Sequence, residues 1–531
     1  MAILVNPPCV IFEDDHLLVV NKPPGWNTHS PAPHAGEGIY EWLKNREPRW
    51  SKLAIIHRLD KETSGLLVFS KTVEGNRSLT RQFTEGKVRK EYVLHSLQAP
   101  PNPKLLVRSI LKRAGERYVS ERGSVSGAEA ETEFEVIGRE GAHTVIVARP
   151  RTGRTHQIRV HASENGFPID GDTLYGGAAF GRLCLHARKL EFVHPVSGEA
   201  MRFEAVQNFS VPASVLLREA IIDPQETNSF RHLHGGSDAV PGVYVDRFAA
   251  FGLAQTPKPL TIEQSRVISD SANPAGLYQK ITTPHVRGTA PEESSPQHVF
   301  GGEVDGPFSI LENGVRYEVS FREGYSVGIF LDQRDNRRRL LTNYIEPDFW
   351  VRDGGLKDAE ILNTFAYTCA FSVCAARAGA RVTSLDLSKK YLDWGRRNFG
   401  LNGIDSAAHD FIYGDVFDWL KRLAKKQRQF DVVLLDPPTF SKSKESGIFR
   451  AEEDYSRLVS DALKVLKSGG LLFASSNAAR WEPEDFVRSI RGAIAKAGRE
   501  IMREHYVPQP PDFPISKAEP AYLKTMWLKV R

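Results

Sequence analysis

The chain has 531 residues, 41% of them hydrophobic and 25% charged, with 70 Lys and Arg against 65 Asp and Glu. That length is too great for one core and sets a prior of roughly three domains. The balance is ordinary for a soluble globular protein, and a net charge of +5 fits nucleic-acid binding without requiring it. Cys9, Cys184, Cys369 and Cys374 follow neither metal-ligand nor disulfide spacing, which suits a reducing cytoplasm. Residues 1–10 lack a basic start and run into Glu13, Asp14 and Asp15, so no signal peptide is expected. No uninterrupted apolar run approaches the ~20 residues that span a bilayer, so no membrane partner is expected. Nothing in the sequence points to a protein partner.

Residues 10–21 (VIFEDDHLLVVN) place two apolar bursts around an acidic turn, as in a hairpin. Residues 66–70, 90–95 and 144–148 are further strand candidates. Residues 211–227 read as a short helix and a linker, which closes a first domain at 1–215. Residues 216–345 read as a small β-rich linker or RNA-binding subdomain, with short strands at 243–246, 298–300 and 315–321 and a loop over 273–296. From 346 to 531 the pattern changes. Apolar, β-rich bursts at 361–365, 381–386, 431–436 and 470–475 alternate with helical stretches at 371–378, 388–401 and 455–467. That alternation predicts a Rossmann-like, doubly wound α/β domain with a mainly parallel sheet and its ligand at the carboxyl ends of the strands. The whole is therefore a multidomain α/β and α+β chain with no internal repeat.

Two dense motifs carry chemistry in the first domain. Residues 57–67 (HRLDKETSGLL) put a carboxylate, Asp60, in a turn between cations, and residues 151–161 (RTGRTHQIRVH) gather three arginines, two histidines and an amide. Taken alone, each also fits a surface turn with an ion pair, or a solvated basic face. Together, in this order, with Lys90-Glu91-Tyr92 between them and Asp170-Gly171-Asp172 and Tyr175-Gly176 after them, the segment at about 10–205 resembles the RluA-type pseudouridine synthases. No S4-type RNA-binding domain is expected ahead of it, because the opening strands start near Val10. The resemblance implies a mixed-sheet core that needs no cofactor. Asp60 would be the catalytic carboxylate, attacking covalently or abstracting the ribose C2′ proton. Arg154 would pair with Asp60, Tyr92 would stack on the target uracil, and Arg58 would enter the space left by the extruded nucleotide. The basic runs 77–90 and 108–122 would touch phosphates, although a solvated face fits them equally.

The third domain offers a second constellation. Asp436-Pro437-Pro438-Thr439-Phe440 follows an apolar burst, and a Pro-Pro pair ends a strand there. Asp386 closes another burst about where an acidic residue binds ribose hydroxyls. Asp415 is a candidate for the adenine end of a nucleoside, or a helix cap. The strings GIFLDQRDNRRR, NTFAYT, LDLSKKYLDWGRRNFGLNG and DPPTFSKSK, with coverage from about 228 to the carboxyl end, resemble the class I methyltransferases of large-subunit ribosomal RNA. The likeness is greatest to the RlmK (7-methylguanosine) and RlmI branch. The resemblance implies S-adenosyl-L-methionine as cofactor, seated by Phe330, Asp332, Gln333, Arg334, Asn363, Tyr367, Asp386, Ser388 and Asp415. It gives Asp436 a catalytic role and lets Phe440 and Asn477 bind the base. The first loop departs from the family, which reads YTGG or YTGS where this chain has Tyr367-Thr368-Cys369-Ala370.

Methylating cytosine C5 requires a cysteine to add at C6. Neither the DPPTF segment nor residues 475–480 (SSNAAR) contains one. Guanine N7 carries a lone pair, so positioning suffices. The expectation is a cytoplasmic enzyme with two activities on large-subunit (23S) ribosomal RNA: uridine isomerisation and methylation at guanine N7. The alternatives are a silent methyltransferase half that only binds RNA, or a cytosine C5 acceptor. A small-molecule acceptor fits the linker subdomain poorly.

Overall fold

The computed structural model describes residues 6–121, 129–282, 295–324, 326–443, 445 and 447–531. It divides into two compact units. One contains Lys52–Ile221 with the preceding strands and Glu37–Lys44; the other contains Ile222–Arg531.

The first unit is built on an 11-stranded mixed sheet. The expected hairpin is present as Val10–Glu13 against Leu17–Lys22, with a bulge between Val10 and Phe12. The centre of the sheet runs Leu17–Lys22, Ser64–Ser70, Leu185–Val193, Arg89–Ser96, His143–Pro150. Ser64–Ser70 is buried along its whole length, which explains its unbroken apolar reading. Its pairing with Leu185–Val193 is parallel, and it brings Gly65 level with Ala187, which in turn faces Tyr92 on the next strand. Gly65 has φ +117°, and a Cβ there would lie 2.4 Å from the Ala187 carbonyl oxygen. Only glycine permits that approach. The helix expected after residue 211 spans Ala213–Ile221 and stays in this unit, where the Ala220 carbonyl accepts from the Cys9 N–H at 3.0 Å.

The second unit carries a five-stranded sheet and a seven-stranded sheet. In the small sheet, Ser229–His234, Tyr244–Phe248 and Phe251–Thr256 run antiparallel. Helix Ile262–Ala272 then returns the chain to a parallel strand, Gly276–Ile281. That strand corrects the loop expected over 273–296. Leu277 and Tyr278 are buried in it, while Asn273 and Pro274 just before it mask the signal as a turn. Residues 283–294 of that expected loop lie outside the described residues.

The large sheet has the order Asp410–Tyr413, Arg381–Asp386, Glu360–Thr364, Phe430–Leu435, Leu466–Ser476, Lys524–Val530, Ile501–Pro508. The first five are parallel neighbours and the last two are antiparallel additions. Glu360–Thr364 is the switch point, because the chain winds outward from it in both directions. Ligands of such sheets sit at the carboxyl ends beside that strand. The expected helix over 455–467 spans Ala451–Leu463 instead, and Leu466 already opens the next strand. Leu463 and Leu466 are both buried, so apolarity alone did not mark the change of element. Among the described residues, no helix is long and apolar enough to cross a membrane.

Candidate active sites

Asp60 opens a tight turn, its carbonyl accepting from the Thr63 N–H at 3.1 Å, immediately before the strand that begins at Ser64. The turn is held from below. Lys22, fully buried, donates to the carbonyls of Pro23, Trp26 and Lys61 at 2.9, 2.7 and 3.0 Å. Burial pushes its amine down to about 7. Ser64 Oγ meets His186 Nδ1 at 2.9 Å, and Thr28 brackets Leu59, accepting from its N–H and donating to its carbonyl. The local sequence thus fixes the backbone on both sides of the carboxylate.

The cation facing Asp60 is not the expected one. Arg154 is exposed, its guanidinium directed to the Glu129 carbonyl at 3.3 Å and its N–H to Gln157. Arg159 is the residue whose Nη1 lies 3.7 Å from Asp60 Oδ2, and His156 Nε2 lies at 3.9 Å. His156 adopts φ +57° and starts helix Gln157–Glu164, whose first turn carries Arg159 toward Asp172. Asp172, buried, accepts from Arg159 Nε and Nη2 at 2.7 and 2.8 Å, and Tyr175 lies under the guanidinium at 5.0 Å. Such a bidentate pair fixes an arginine plane. Tyr92 is close enough to Asp60 for the carboxylate to act on it. Burial, with the Asp60 charge adding to it, holds its phenol well above the usual range and so neutral. Arg58 points the other way from Leu59, exposed, with His29 at 3.2 Å.

Of the basic runs, Arg108 pairs with Glu131 and Lys112 with Glu121, so phosphates would have to compete with neighbouring glutamates there. Arg122 lies outside the described residues. Arg159 and His156 lie within RTGRTHQIRVH and Asp172 within the Asp170-Gly171-Asp172 turn, but spacing does not say which arginine of TGRTHQIR faces the carboxylate. Asp172→Ala is expected to leave Arg159 buried without its partner, at a cost of about 3–5 kcal/mol. Calorimetric melting should show that loss, and pseudouridine formation should fall with it. An unchanged rate in the folded variant would mean Arg159 has no part in the reaction.

The second site lies at the carboxyl ends of the large sheet. Asp386 accepts from the Tyr367 N–H and the Ser388 N–H, both at 2.8 Å, and burial nevertheless pushes its carboxyl up. Each oxygen keeps a lone-pair site, which suits ribose hydroxyls. Ser388 caps helix Lys389–Leu401 by accepting from the Tyr391 N–H. Asp415 caps helix Val416–Lys425 by accepting from the Asp418 N–H on Oδ1 at 3.0 Å. Tyr367 packs against Phe330 at 5.4 Å and Tyr391 at 4.6 Å, and its hydroxyl accepts from the Gly328 N–H.

Two expected cofactor residues are engaged elsewhere. Arg334 gives Nη1 and Nη2 to Asp512 at 2.8 and 2.6 Å in a buried pair, and so anchors the loop instead of lining it. Asn363 is buried under the first helix, donating to Ser372 Oγ at 2.8 Å. Gln333, by contrast, reaches the site: its amide donates to Ser475 Oγ at 2.7 Å and Asp436 Oδ1 at 3.2 Å, while Asn336 donates to it from behind and itself accepts from the Trp527 indole. Asp436 is pushed up to about 6 by burial, with the nearby Asp332 adding to the effect and Ser475 and Gln333 opposing it. Asp332 accepts from the Tyr522 hydroxyl at 3.0 Å. Phe440 lies under the Arg450 guanidinium at 5.6 Å in the hairpin Phe440–Ser443 against Gly447–Arg450. Asn477 is exposed on the wall of a cavity of about 590 Å³ that also touches Phe330 and Asp332.

The departure at Cys369 has a physical account. Cys369 takes φ +63°, a conformation that costs a non-glycine residue ~1–2 kcal/mol. Its side chain turns into the protein, and a Cβ on Gly395 would sit 2.4 Å from its Sγ. The inward Cys369 side chain is accommodated because the helix beneath carries a glycine at 395. The loop backbone is held by the Cys369 N–H on the Ala366 carbonyl at 2.7 Å and by Asp386 on Tyr367.

One half of the chain is thus a carboxylate-centred site in a mixed sheet. The other is an open α/β domain with acidic strand ends, the arrangement of a nucleoside-binding transferase. The RNA pseudouridylate synthase family model matches residues 16–164, and the S-adenosylmethionine-dependent methyltransferase model matches residues 284–529. A ribosomal RNA large subunit methyltransferase of Deinococcus radiodurans is 30% identical over 347 residues, which is 60% of this chain and 77% of the relative. Ribosomal RNA large subunit methyltransferase I of Aeromonas salmonicida is 30% identical over 386 residues, covering 69% of this chain and 92% of the relative. Among solved structures, the methyltransferase SMU.776 complexed with SAH matches with a TM-score of 0.51 at 27% identity, covering 64% of this chain and 87% of that one. The chain belongs to the S-adenosylmethionine-dependent methyltransferase family that includes these relatives, and it carries an RNA pseudouridylate synthase domain ahead of that part. It is an enzyme with two catalytic domains, one an isomerase and the other a transferase.

Proposed function

We propose that the chain modifies large-subunit ribosomal RNA twice, isomerising a uridine to pseudouridine at Asp60 and methylating a guanine at N7. The ribosomal RNA relatives support the substrate class and, with it, a cytoplasmic place of work. In the first site Asp60 acts on the ribose or the base with no cofactor, Arg159 holds its charge in place and Tyr92 faces the uracil. In the second, Asp386 takes the ribose of S-adenosylmethionine, with Tyr367, Ser388 and Phe330 around it, and Gln333 and Asp436 face the transferred group.

The single observation behind the N7 acceptor is the state of the cysteines. Burial pushes Cys369 and Cys374 up to about 12, with Cys369 turned toward Gly395 and Cys374 against the Tyr317 hydroxyl at 3.0 Å. Neither is available to add to cytosine C6, whereas N7 needs no added nucleophile.

Ribosomal RNA from cells lacking the protein, treated with it and S-adenosylmethionine, should yield 7-methylguanosine and pseudouridine on nuclease digestion and mass spectrometry. Appearance of 5-methylcytosine alone, or of no methyl group, would refute the acceptor. Titration calorimetry gives an independent reading of the cofactor half. The full chain should bind S-adenosylmethionine, and Asp386→Ala should weaken that binding by at least about tenfold, the loss of a hydrogen-bonded carboxylate pair. Equal affinity in the variant would remove Asp386 from the site.

A further inference from the structure

The cavity beside Phe330 has two different walls. One comes from the cofactor-side loop and the strand-end segment, through Phe330, Asp332 and Asn477; the other comes from the small five-stranded sheet, through Tyr244, Asp246 and Lys280. At about 590 Å³ it lies within the ~300–1,000 Å³ range of small-molecule sites. Aromatic rings line it, as stacking on a base requires. Its polar groups are already oriented. Arg231 Nε and Nη2 grip Asp246 at 2.6 and 3.2 Å, and Gln255 donates to the same carboxylate at 2.8 Å. Glu519 accepts from the Tyr244 hydroxyl and the Gly236 N–H. Asp332 differs from these: its one hydrogen-bonding partner among the described side chains is the Tyr522 hydroxyl on Oδ2, and it stands close enough to Asp436 to act on its charge.

Resting on the methyltransferase reading above, we propose that this cavity receives the extruded target purine, and that Asp332 selects guanine. Guanine presents two adjacent donors, N1–H and the 2-amino group, which match the two oxygens of a carboxylate; adenine presents an acceptor at N1, which a carboxylate repels. The small sheet is then a wall of the specificity pocket. Phe440 does not line the cavity, so stacking falls to the rings that do.

The test uses the full chain and two plugs at exposed rim positions, Ala479→Trp and Thr282→Trp. Both should keep the wild-type affinity for S-adenosylmethionine by calorimetry, and both should lose methyl transfer to ribosomal RNA by about a hundredfold in single turnover, since a misplaced base forfeits alignment. Asp332→Asn supplies a readout that a structural role would not move. On transcripts carrying inosine at the mapped target, which lacks the 2-amino group, wild type should transfer about tenfold more slowly than on guanosine, and the variant should lose most of that preference. Plugged variants that bind S-adenosylmethionine and methylate at the wild-type rate overturn the proposal, and so does an unchanged guanosine preference in Asp332→Asn. If wild type binds S-adenosylmethionine but methylates no guanine, this inference falls and the cofactor site stands. If it binds none, the methyltransferase reading falls with it.

Discussion

Asp60→Asn is expected to lower pseudouridine formation by at least about four orders of magnitude while leaving methyl transfer at the wild-type rate. The amide has the carboxylate's size, and the turn is held by backbone groups, Lys22 and Ser64, so the fold is kept. What is lost is the charge. An amide neither attacks carbon nor takes the C2′ proton, so the result holds for either route. Arg159 stays in place on Asp172, which separates this variant from Asp172→Ala, where the carboxylate remains and its cation is released. The check is to map both marks on the same RNA. Residual isomerisation within tenfold of wild type would remove Asp60 from the chemistry. Loss of both marks would instead reveal coupling between the two activities.

The second large effect is a pH limb. Burial raises the Asp436 carboxyl to about 6, so in the folded protein it ionises later than a free aspartate, whose ordinary value is 3.8. If the carboxylate is the working form, methyl transfer falls as pH drops below about 6. Asp436→Asn removes that limb and lowers the plateau by about a hundredfold, the usual cost of one preorganised polar contact. Stability runs the opposite way. A carboxyl raised in the folded state contributes most below about 3.8, and that contribution is lost as pH rises through 6. At pH 8 wild type therefore carries an ionised Asp436 at a cost that the amide avoids. The variant should melt higher than wild type at pH 8, with the difference closing as pH falls toward 5. A rate profile flat between pH 5 and 7 in wild type would exclude Asp436 as the titrating group.

Much of this was legible because the chemistry lies in short segments. The Asp60 turn, the helix with its arginines and the DPPTF strand end each declare themselves within a dozen residues, and alternation of strands and helices gave the parallel sheet. What the sequence concealed were choices made in three dimensions. Arg154 and Arg159 stand five apart, and the helix that starts at the left-handed His156, with Asp172 as its far partner, brings Arg159 to Asp60. Arg334 reads as a cofactor residue until Asp512, 178 positions away, takes both of its nitrogens. Asn363 stands one residue before the end of a strand where ligands gather, yet its amide is committed to Ser372 on the helix above. The strand Gly276–Ile281 was hidden by the Asn and Pro that precede it.

Cys369 and Gly395 share one volume, and this bears on how such proteins drift. With the Cys369 sulfur turned inward, any side chain at 395 would meet it, so the loop and the helix beneath are constrained as one unit. A larger residue at 395 is tolerated only if position 369 gives up its sulfur, and the loop backbone, already in the left-handed region at Cys369, would have to accept the change with it.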